Sequence, residues 1–150
     1  TPGFDTPGLS GPSENFKIAM KESFVLNLLG KEEEALIVTE KSLTGSRYPF
    51  DEANFAKEAK IRLKQGINTS NAQIAAVGAS PNRASSLQEI NRPTLIIHGS
   101  EDPLIPVDHG IYLQQNIPNA KKLILEGVGH EIPDQALSEI IPVMLNHFKL

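Results

Sequence analysis

Two side chains near the end of the chain, Asp102 and His130, have the types and surroundings for proton-transfer chemistry. Each follows a short apolar run that ends in glycine. An imidazole titrates near neutral pH, so it can take a proton from a hydroxyl group and pass it to a leaving group. A carboxylate on its other nitrogen fixes the tautomer and stabilises the imidazolium. Singly, each residue could simply close a turn or lie in a surface loop. Their matching positions after two strands instead predict the orienting acid (Asp102) and the general base (His130) of a nucleophilic triad.

The elements that would position this pair are two buried strands and two helices. Residues 94–98 form a continuous apolar run closed by Gly99, which is typical of a fully buried strand in a parallel sheet. Strands and helices are predicted to alternate over 94–98, 107–116, 122–126 and 133–149. This order predicts an α/β fold with crossover helices, in which functional groups collect at the carboxyl ends of the strands.

The first half of the chain has a different character, because its periodicity is helical throughout. Four helices are predicted, over about 14–29, 32–42, 52–64 and 71–77. Ser13 and Asp51 are suitable N-caps, and Gly30 is placed to end the first helix. The chain therefore divides into a helical part, 1–79, and an α/β part, 80–150. Large side chains of the helical part are expected mostly in its core, although some could line a pocket: Phe4, Phe16, Met20, Phe24, Tyr48, Phe50 and Phe55.

Composition argues against several classes of protein. With 39% hydrophobic and 21% charged residues, the 150-residue chain is ordinary for a globular protein. A net charge of -4 without a basic cluster argues against nucleic-acid binding. No apolar run approaches the ~18 residues of a membrane span. The absence of cysteine and of paired-histidine spacing predicts no metal and no cofactor. No signal-peptide pattern is present, so a cytoplasmic location is expected.

Motifs in the second half resemble the carboxyl-terminal part of the α/β-hydrolase superfamily. They are Pro-Thr-Leu-Ile-Ile-His-Gly (93–99), Gly-Ser-Glu-Asp-Pro-Leu-Ile-Pro (99–106), Ile-Pro-Asn-Ala (117–120) and Gly-Val-Gly-His (127–130). In that superfamily the acid follows the penultimate strand and the histidine follows the last one. The resemblance therefore implies the same roles for Asp102 and His130, and it makes residues 1–79 a helical cap.

A narrower resemblance extends into the helical part. Ser-Arg-Tyr-Pro-Phe-Asp (46–51), Ser-Pro-Asn-Arg (80–83), Asp-His-Gly (108–110) and Gly-His-Glu-Ile-Pro (129–133) are similar to hydrolases of the aclacinomycin methylesterase type. This resemblance implies hydrolysis of a small-molecule carboxylic ester through a serine acyl-enzyme.

The nucleophile of such an enzyme has no counterpart here. The superfamily presents its serine in a Gly-x-Ser-x-Gly elbow after a strand, whereas Ser10 and Ser80 lack that spacing and lie in turns. Two strands would also leave apolar faces and a free edge. We therefore expect the chain to be a carboxyl-terminal fragment, inactive alone, that needs an upstream part of the same fold. Two alternatives stay open: a dehalogenase or epoxide hydrolase with Asp at the elbow, and a non-catalytic binding module.

Three further polar residues have simpler interpretations. His98 is expected to be a packed or turn-bonded imidazole, and His109 a solvent-facing residue of the crossover helix. Glu101 precedes the acid, but the superfamily pattern places the acid directly before Pro103.

Overall fold

The computed structural model describes residues 1–3, 5–66 and 70–149, and within 70–74 the backbone alone. The predicted alternation of elements is confirmed over this part of the chain. The helices and strands are α1 (Glu14–Leu28), α2 (Glu32–Leu43), α3 (Glu52–Lys64), α4 (Ser70–Ala79), β1 (Leu95–Gly99), α5 (Val107–Asn116), β2 (Lys121–Leu125) and α6 (Leu137–Phe148). Short 3-10 helices, Ala84–Glu89 and Asp134–Ala136, precede β1 and α6.

Local capping chemistry sets the helix ends much as the sequence predicts. The Ser13 hydroxyl accepts a hydrogen bond from the backbone N–H of Phe16 (3.2 Å), and an Asp51 carboxylate oxygen accepts one from that of Asn54 (2.9 Å). Both bonds satisfy N–H groups that lack a partner within their own helix. Gly30 follows α1 with φ of 73°, a left-handed conformation that glycine adopts without steric cost.

The helices α1 and α2 form an antiparallel pair joined by polar as well as apolar contacts. The buried Ser23 hydroxyl donates to the Ala35 carbonyl (3.0 Å) and accepts from the Thr39 hydroxyl (2.9 Å). Because this face of α1 turns toward α2, its neighbour Phe24 points away and is 64% exposed. The expectation that Phe24 lies in the helical core is therefore wrong. Phe16 and Phe55 are buried as expected, and Phe4 lies outside the described residues.

The two strands pair in parallel, with register running from Leu95 opposite Lys121 to Gly99 opposite Leu125. The helices α5 and α6 pack on β1, and an apolar cluster of Leu125, Val128 and Ile140 fills the space between the sheet and α6. This arrangement brings the carboxyl ends of β1 and β2 to one edge, where the predicted site residues follow.

The strands are less buried than their apolar sequences predict. Residues 95–98 of β1 are half-buried, and β2 begins with exposed Lys121 and Lys122. Within the described part of the chain each strand has a single hydrogen-bonded neighbour, so one edge of each stays uncovered. Outward-facing apolar residues of α6 are also exposed: Leu137, Ile141, Leu145 and Phe148.

Over the described residues, no helix has both the length and the apolar character needed to cross a bilayer.

Candidate active site

The turn after β1 holds the Asp102 carboxylate in place. One of its oxygens, Oδ1, accepts hydrogen bonds from the backbone N–H groups of Leu104 (2.9 Å) and Ile105 (2.8 Å). The residue is only 9% exposed. Such a turn solvates a buried carboxylate with backbone dipoles, and it leaves the second oxygen, Oδ2, free to bind another group.

The loop after β2 carries His130 to that second oxygen. Gly127 turns the chain with φ of 70°, and its N–H donates to the Ser100 hydroxyl (2.8 Å). The Glu101 N–H in turn donates to the Val128 carbonyl (2.9 Å). Backbone contacts thus join residues 100–105, the acid loop, to residues 127–130, the histidine loop. As a result, His130 Nδ1 lies 2.8 Å from Asp102 Oδ2.

This contact determines the tautomer of the imidazole. An ionised carboxylate can only accept, so Nδ1 carries the proton and donates it to Asp102. The lone pair of the neutral ring is then on Nε2, which has no hydrogen-bond partner among the described residues. Because the His130 side chain is 31% exposed, Nε2 can reach a reacting group. The arrangement suits a base whose other nitrogen is held by an acid.

Each member of the pair stabilises the charged form of the other. Burial alone would raise the pKa of Asp102, but hydrogen bonds from His130 and from the Ile105 and Leu104 N–H groups outweigh it and hold the pKa below its ordinary value. The hydrogen bond to Asp102 raises the pKa of His130 against the opposing effect of burial. Asp102 therefore stays ionised near neutral pH, where an imidazole can exchange its proton.

Comparison with known proteins assigns the family. A sequence profile of the alpha/beta hydrolase fold matches residues 19–137. The chain belongs to the alpha/beta hydrolase fold family. It is 26% identical over 117 residues to an uncharacterized hydrolase, YugF, of Bacillus subtilis (strain 168), covering 77% of this chain and 38% of that protein. It is 27% identical over 131 residues to the rhodomycin D methylesterase DauP of Streptomyces sp. (strain C5), covering 84% of this chain and 43% of the relative.

A solved structure agrees at the level of the fold. The esterase EaEST from Exiguobacterium antarcticum superposes with a TM-score of 0.70 at 14% identity, covering all of this chain (100%) and 54% of that one. The predicted resemblance to ester hydrolases of the α/β-hydrolase superfamily is confirmed, and so is the fold class. The chain spans less than half the length of the two curated relatives that it matches.

Several other polar residues near Asp102 and His130 lie where the sequence predicts. His98 Nε2 donates to the Ile105 carbonyl (2.8 Å), which confirms a turn-bonded imidazole. Glu101 points away from His130, and its carboxylate binds Ser46 instead. Ser10 and Ser80 lie in surface segments rather than behind a strand, as expected for turn residues.

The expectation for His109 is wrong. The side chain is 1% exposed, with Nδ1 2.7 Å from the Thr1 hydroxyl and Nε2 2.8 Å from the Ser10 carbonyl. The amino-terminal segment folds over the start of α5 and covers the ring, a long-range contact that helical periodicity does not reveal. Asp108, the preceding residue, fastens the same segment by accepting from the Ser10 N–H (2.8 Å).

A contact between the helical part and the histidine loop is not predicted by the sequence. The His130 N–H donates to the carbonyl of Leu43, the last residue of α2, over 2.8 Å. Gly45, two residues after the end of α2, is the sequence feature on the helical side of this contact. Its role as a site of close backbone approach becomes visible only in three dimensions.

A cavity of about 420 Å³ lies between the helical part and the segment 127–135. Its walls combine aromatic side chains with carboxylates, among them Tyr48, Phe50, Phe55, Glu40, Glu58 and Glu131. Tyr48 and Phe50 are half-buried and line this cavity, and Tyr48 also packs against the cluster of Leu125 and Val128. Neither Asp102 nor His130 lines this cavity, so position alone does not connect it to their chemistry.

In the part of the chain that is described, no group of three or more histidine and carboxylate side chains is arranged to hold a metal ion.

Proposed function

We propose that this chain supplies the acid and the base of a serine-type α/β-hydrolase that cleaves carboxylic esters. In this proposal His130 takes a proton from the nucleophile through Nε2 and later protonates the leaving alcohol. Asp102 orients the imidazole and stabilises its charged form. The nucleophile and the oxyanion hole come from sequence upstream of Thr1. The observation that carries the proposal is the 2.8 Å contact between His130 Nδ1 and Asp102 Oδ2, which leaves Nε2 free.

The proposal that the substrate is an ester is supported by the relatives. One curated relative is described as a rhodomycin D methylesterase, and a structural neighbour as an esterase. We infer that the substrate is a small-molecule ester. No residue of this chain is assigned to its recognition.

The need for an upstream part is supported by the uncovered edges of the sheet. Within the described residues β1 and β2 each have one neighbouring strand, and α6 exposes an apolar face that includes Ile141 and Leu145. An upstream half with further strands and helices would cover both. We propose that residues 80–150 form the carboxyl-terminal part of the α/β-hydrolase core, and that residues 1–79 form a helical cap over it. The cytoplasmic location stays a prediction.

The deciding experiment uses the gene sequence and a longer protein. We expect the sequence before Thr1 to encode a strand followed by Gly-x-Ser-x-Gly. In a protein that includes it, Asp102→Asn is expected to lower kcat for an ester such as p-nitrophenyl acetate by roughly four orders of magnitude, as in other triads. Asp134→Asn, which changes an exposed carboxylate in the segment after His130, is the matched control. A loss below tenfold for Asp102→Asn would place the acid elsewhere.

The 150-residue chain alone is expected to hydrolyse no ester, because it contains no elbow serine. Turnover by the purified chain that disappears in His130→Ala would contradict this proposal. An aspartate in place of the elbow serine would instead indicate dehalogenase or epoxide hydrolase chemistry.

A further inference from the structure

The segment that connects α2 to α3 lies directly on the histidine loop. We call residues 43–47 the strap. Two hydrogen bonds join it to this loop: the His130 N–H donates to the Leu43 carbonyl (2.8 Å), and the Arg47 N–H donates to the Gly127 carbonyl (2.9 Å). These bonds lie at the two ends of both segments, so the strap contacts the histidine loop along its whole length.

The contact is made by backbone against backbone. A Cβ atom on Gly45 would collide with the Gly127 carbonyl oxygen, and one on Gly129 would collide with the Leu43 carbonyl oxygen. Side chains on either segment would therefore force the two apart. Glycine at positions 45 and 129 removes that obstacle and lets the strap bind the loop through short, directional hydrogen bonds.

The strap is fastened to the acid loop as well. Both the N–H and the hydroxyl of Ser46 donate to the Glu101 carboxylate, over 2.7 Å and 2.8 Å. Glu101 is the residue directly before Asp102, and its own N–H donates to the Val128 carbonyl (2.9 Å). One carboxylate thus joins the strap to the loop of the acid, next to the point where the strap joins the loop of the base.

The hydrogen bonds that Glu101 accepts favour its ionised form. The side-chain hydrogen bond from Ser46, together with the one from its N–H, lowers the pKa of this carboxyl below its ordinary value. At neutral pH the carboxylate can accept both bonds at once, whereas a glutamine of the same size can accept through one oxygen only.

We propose that Glu101 is a positioning residue, which holds the strap on the histidine loop and thereby fixes His130 opposite Asp102. The inference rests on the proposed role of His130 as base. In this proposal the helical part also positions the site, because the position of α2 determines the position of the imidazole. Movement at the end of α2 would weaken the acid–base contact without touching either side chain.

Amide hydrogen exchange and histidine titration by NMR test this proposal, on a protein that includes the upstream sequence as well as residues 1–150. The test variants are Glu101→Gln and Ser46→Ala, of which the second changes no charge. Ser46→Thr keeps the hydroxyl, and Glu126→Gln removes an exposed carboxylate at the end of β2; both serve as controls. The Leu123 amide in β2 is the internal reference for global opening.

We expect exchange at the His130 amide to rise by roughly three- to tenfold in Glu101→Gln and Ser46→Ala, as the loss of one hydrogen bond implies. Exchange at Leu123 should stay unchanged, and both controls should match the unsubstituted protein. The pKa of His130 should also fall in Ser46→Ala, because a looser loop weakens the contact with Asp102. Unchanged His130 exchange in both test variants would overturn the proposal.

The result separates this inference from the proposed function. If the His130 pKa is not raised in the unsubstituted longer protein, the acid–base pair itself is not formed and the proposed function fails. If that pKa is raised and neither test variant alters exchange at His130, the pair stands and the positioning role of Glu101 is wrong.

Discussion

Replacing Asp102 by asparagine removes the negative charge of the side chain but keeps its shape. The amide oxygen can still accept from the N–H groups of Leu104 and Ile105, as Oδ1 does now. The amide nitrogen would then face His130 Nδ1, where Oδ2 lies at 2.8 Å. Because this nitrogen is a donor, Nδ1 must accept, and the proton of the neutral imidazole moves to Nε2. The variant therefore keeps the turn but reverses the tautomer.

The pH range of the effect follows from the directions of the two pKa shifts. Hydrogen bonds from His130 and the turn hold the pKa of Asp102 below its ordinary value against burial, so its contribution is lost as pH falls through that lowered pKa. The Asp102 contact raises the pKa of His130, so that contribution is complete below the ordinary histidine value and is lost as pH rises through the raised one. Both are present together between about pH 4 and about pH 6.5.

The energy at stake is that of one charge-assisted hydrogen bond, reduced by solvent. Such a bond contributes roughly 1.5–3 kcal/mol when shielded, and partial exposure of the imidazole reduces this to about 1–2 kcal/mol. For a chain of this length, that difference corresponds to roughly 3–6 °C in Tm. We expect the Tm of the parent chain to exceed that of Asp102→Asn by about 3–6 °C near pH 5, and by less near pH 8.5.

A double-mutant cycle measures the effect directly. Urea or thermal unfolding of the parent chain, Asp102→Asn, His130→Gln and the double variant is followed by circular dichroism at both pH values. The coupling energy between the two positions should decrease from pH 5 to pH 8.5. Nitrogen chemical shifts of the His130 ring should show the proton on Nδ1 in the parent chain and on Nε2 in Asp102→Asn. Asp134→Asn provides the charge-matched control.

Two results would refute this reasoning. A coupling energy that is the same at both pH values would mean that the imidazolium does not bind the carboxylate. An unchanged tautomer in Asp102→Asn would mean that Asp102 does not orient the ring.

Three further predictions concern the surroundings of the pair. Gly129→Ala should destabilise the chain by roughly 1–3 kcal/mol through the clash with the Leu43 carbonyl, whereas Gly11→Ala, where a Cβ meets open space, should change the unfolding free energy by less than about 0.5 kcal/mol; equal effects would contradict the close approach. His109→Leu should cost about 1–3 kcal/mol in urea unfolding because it removes the two hydrogen bonds of the buried imidazole, to the Thr1 hydroxyl and the Ser10 carbonyl, and a neutral result would mean that the ring is solvated. Asp51→Ala should cost about 1 kcal/mol through loss of the α3 cap, which helical circular dichroism and Tm would detect; no loss would show that the cap contributes nothing.

Much of the fold could be predicted because its signals are local. The apolar run ending at Gly99 specifies β1, and the hydroxyl of Ser13 and the carboxylate of Asp51 mark helix starts within one turn of their partners. Asp102 and His130 are also indicated by a local signal, since each comes a few residues after a strand. Their catalytic roles stay predictions, although the structure brings the two side chains together.

The predictions for His109 and Phe24 are wrong because residues far along the chain determine whether their side chains are buried. Helical periodicity predicts that His109 is exposed, but Thr1 and Ser10 bind its ring from far along the chain. It also predicts that Phe24 lies in the core, but the face of Ser23 packs toward α2 instead. Periodicity describes which residues share a face, but it does not specify what will cover that face.

The sequence by itself determined the order of helices and strands, the α/β class and the position of an aspartate and a histidine after neighbouring strands. Backbone propensity, capping and apolar periodicity act over a few residues, so they can be read from the chain. The tertiary structure alone decided that Asp102 and His130 meet at 2.8 Å, and that Glu101 and Ser46 join the helical part to both of their loops. Those contacts link residues 28 and 55 positions apart, and no local pattern specifies such a distance.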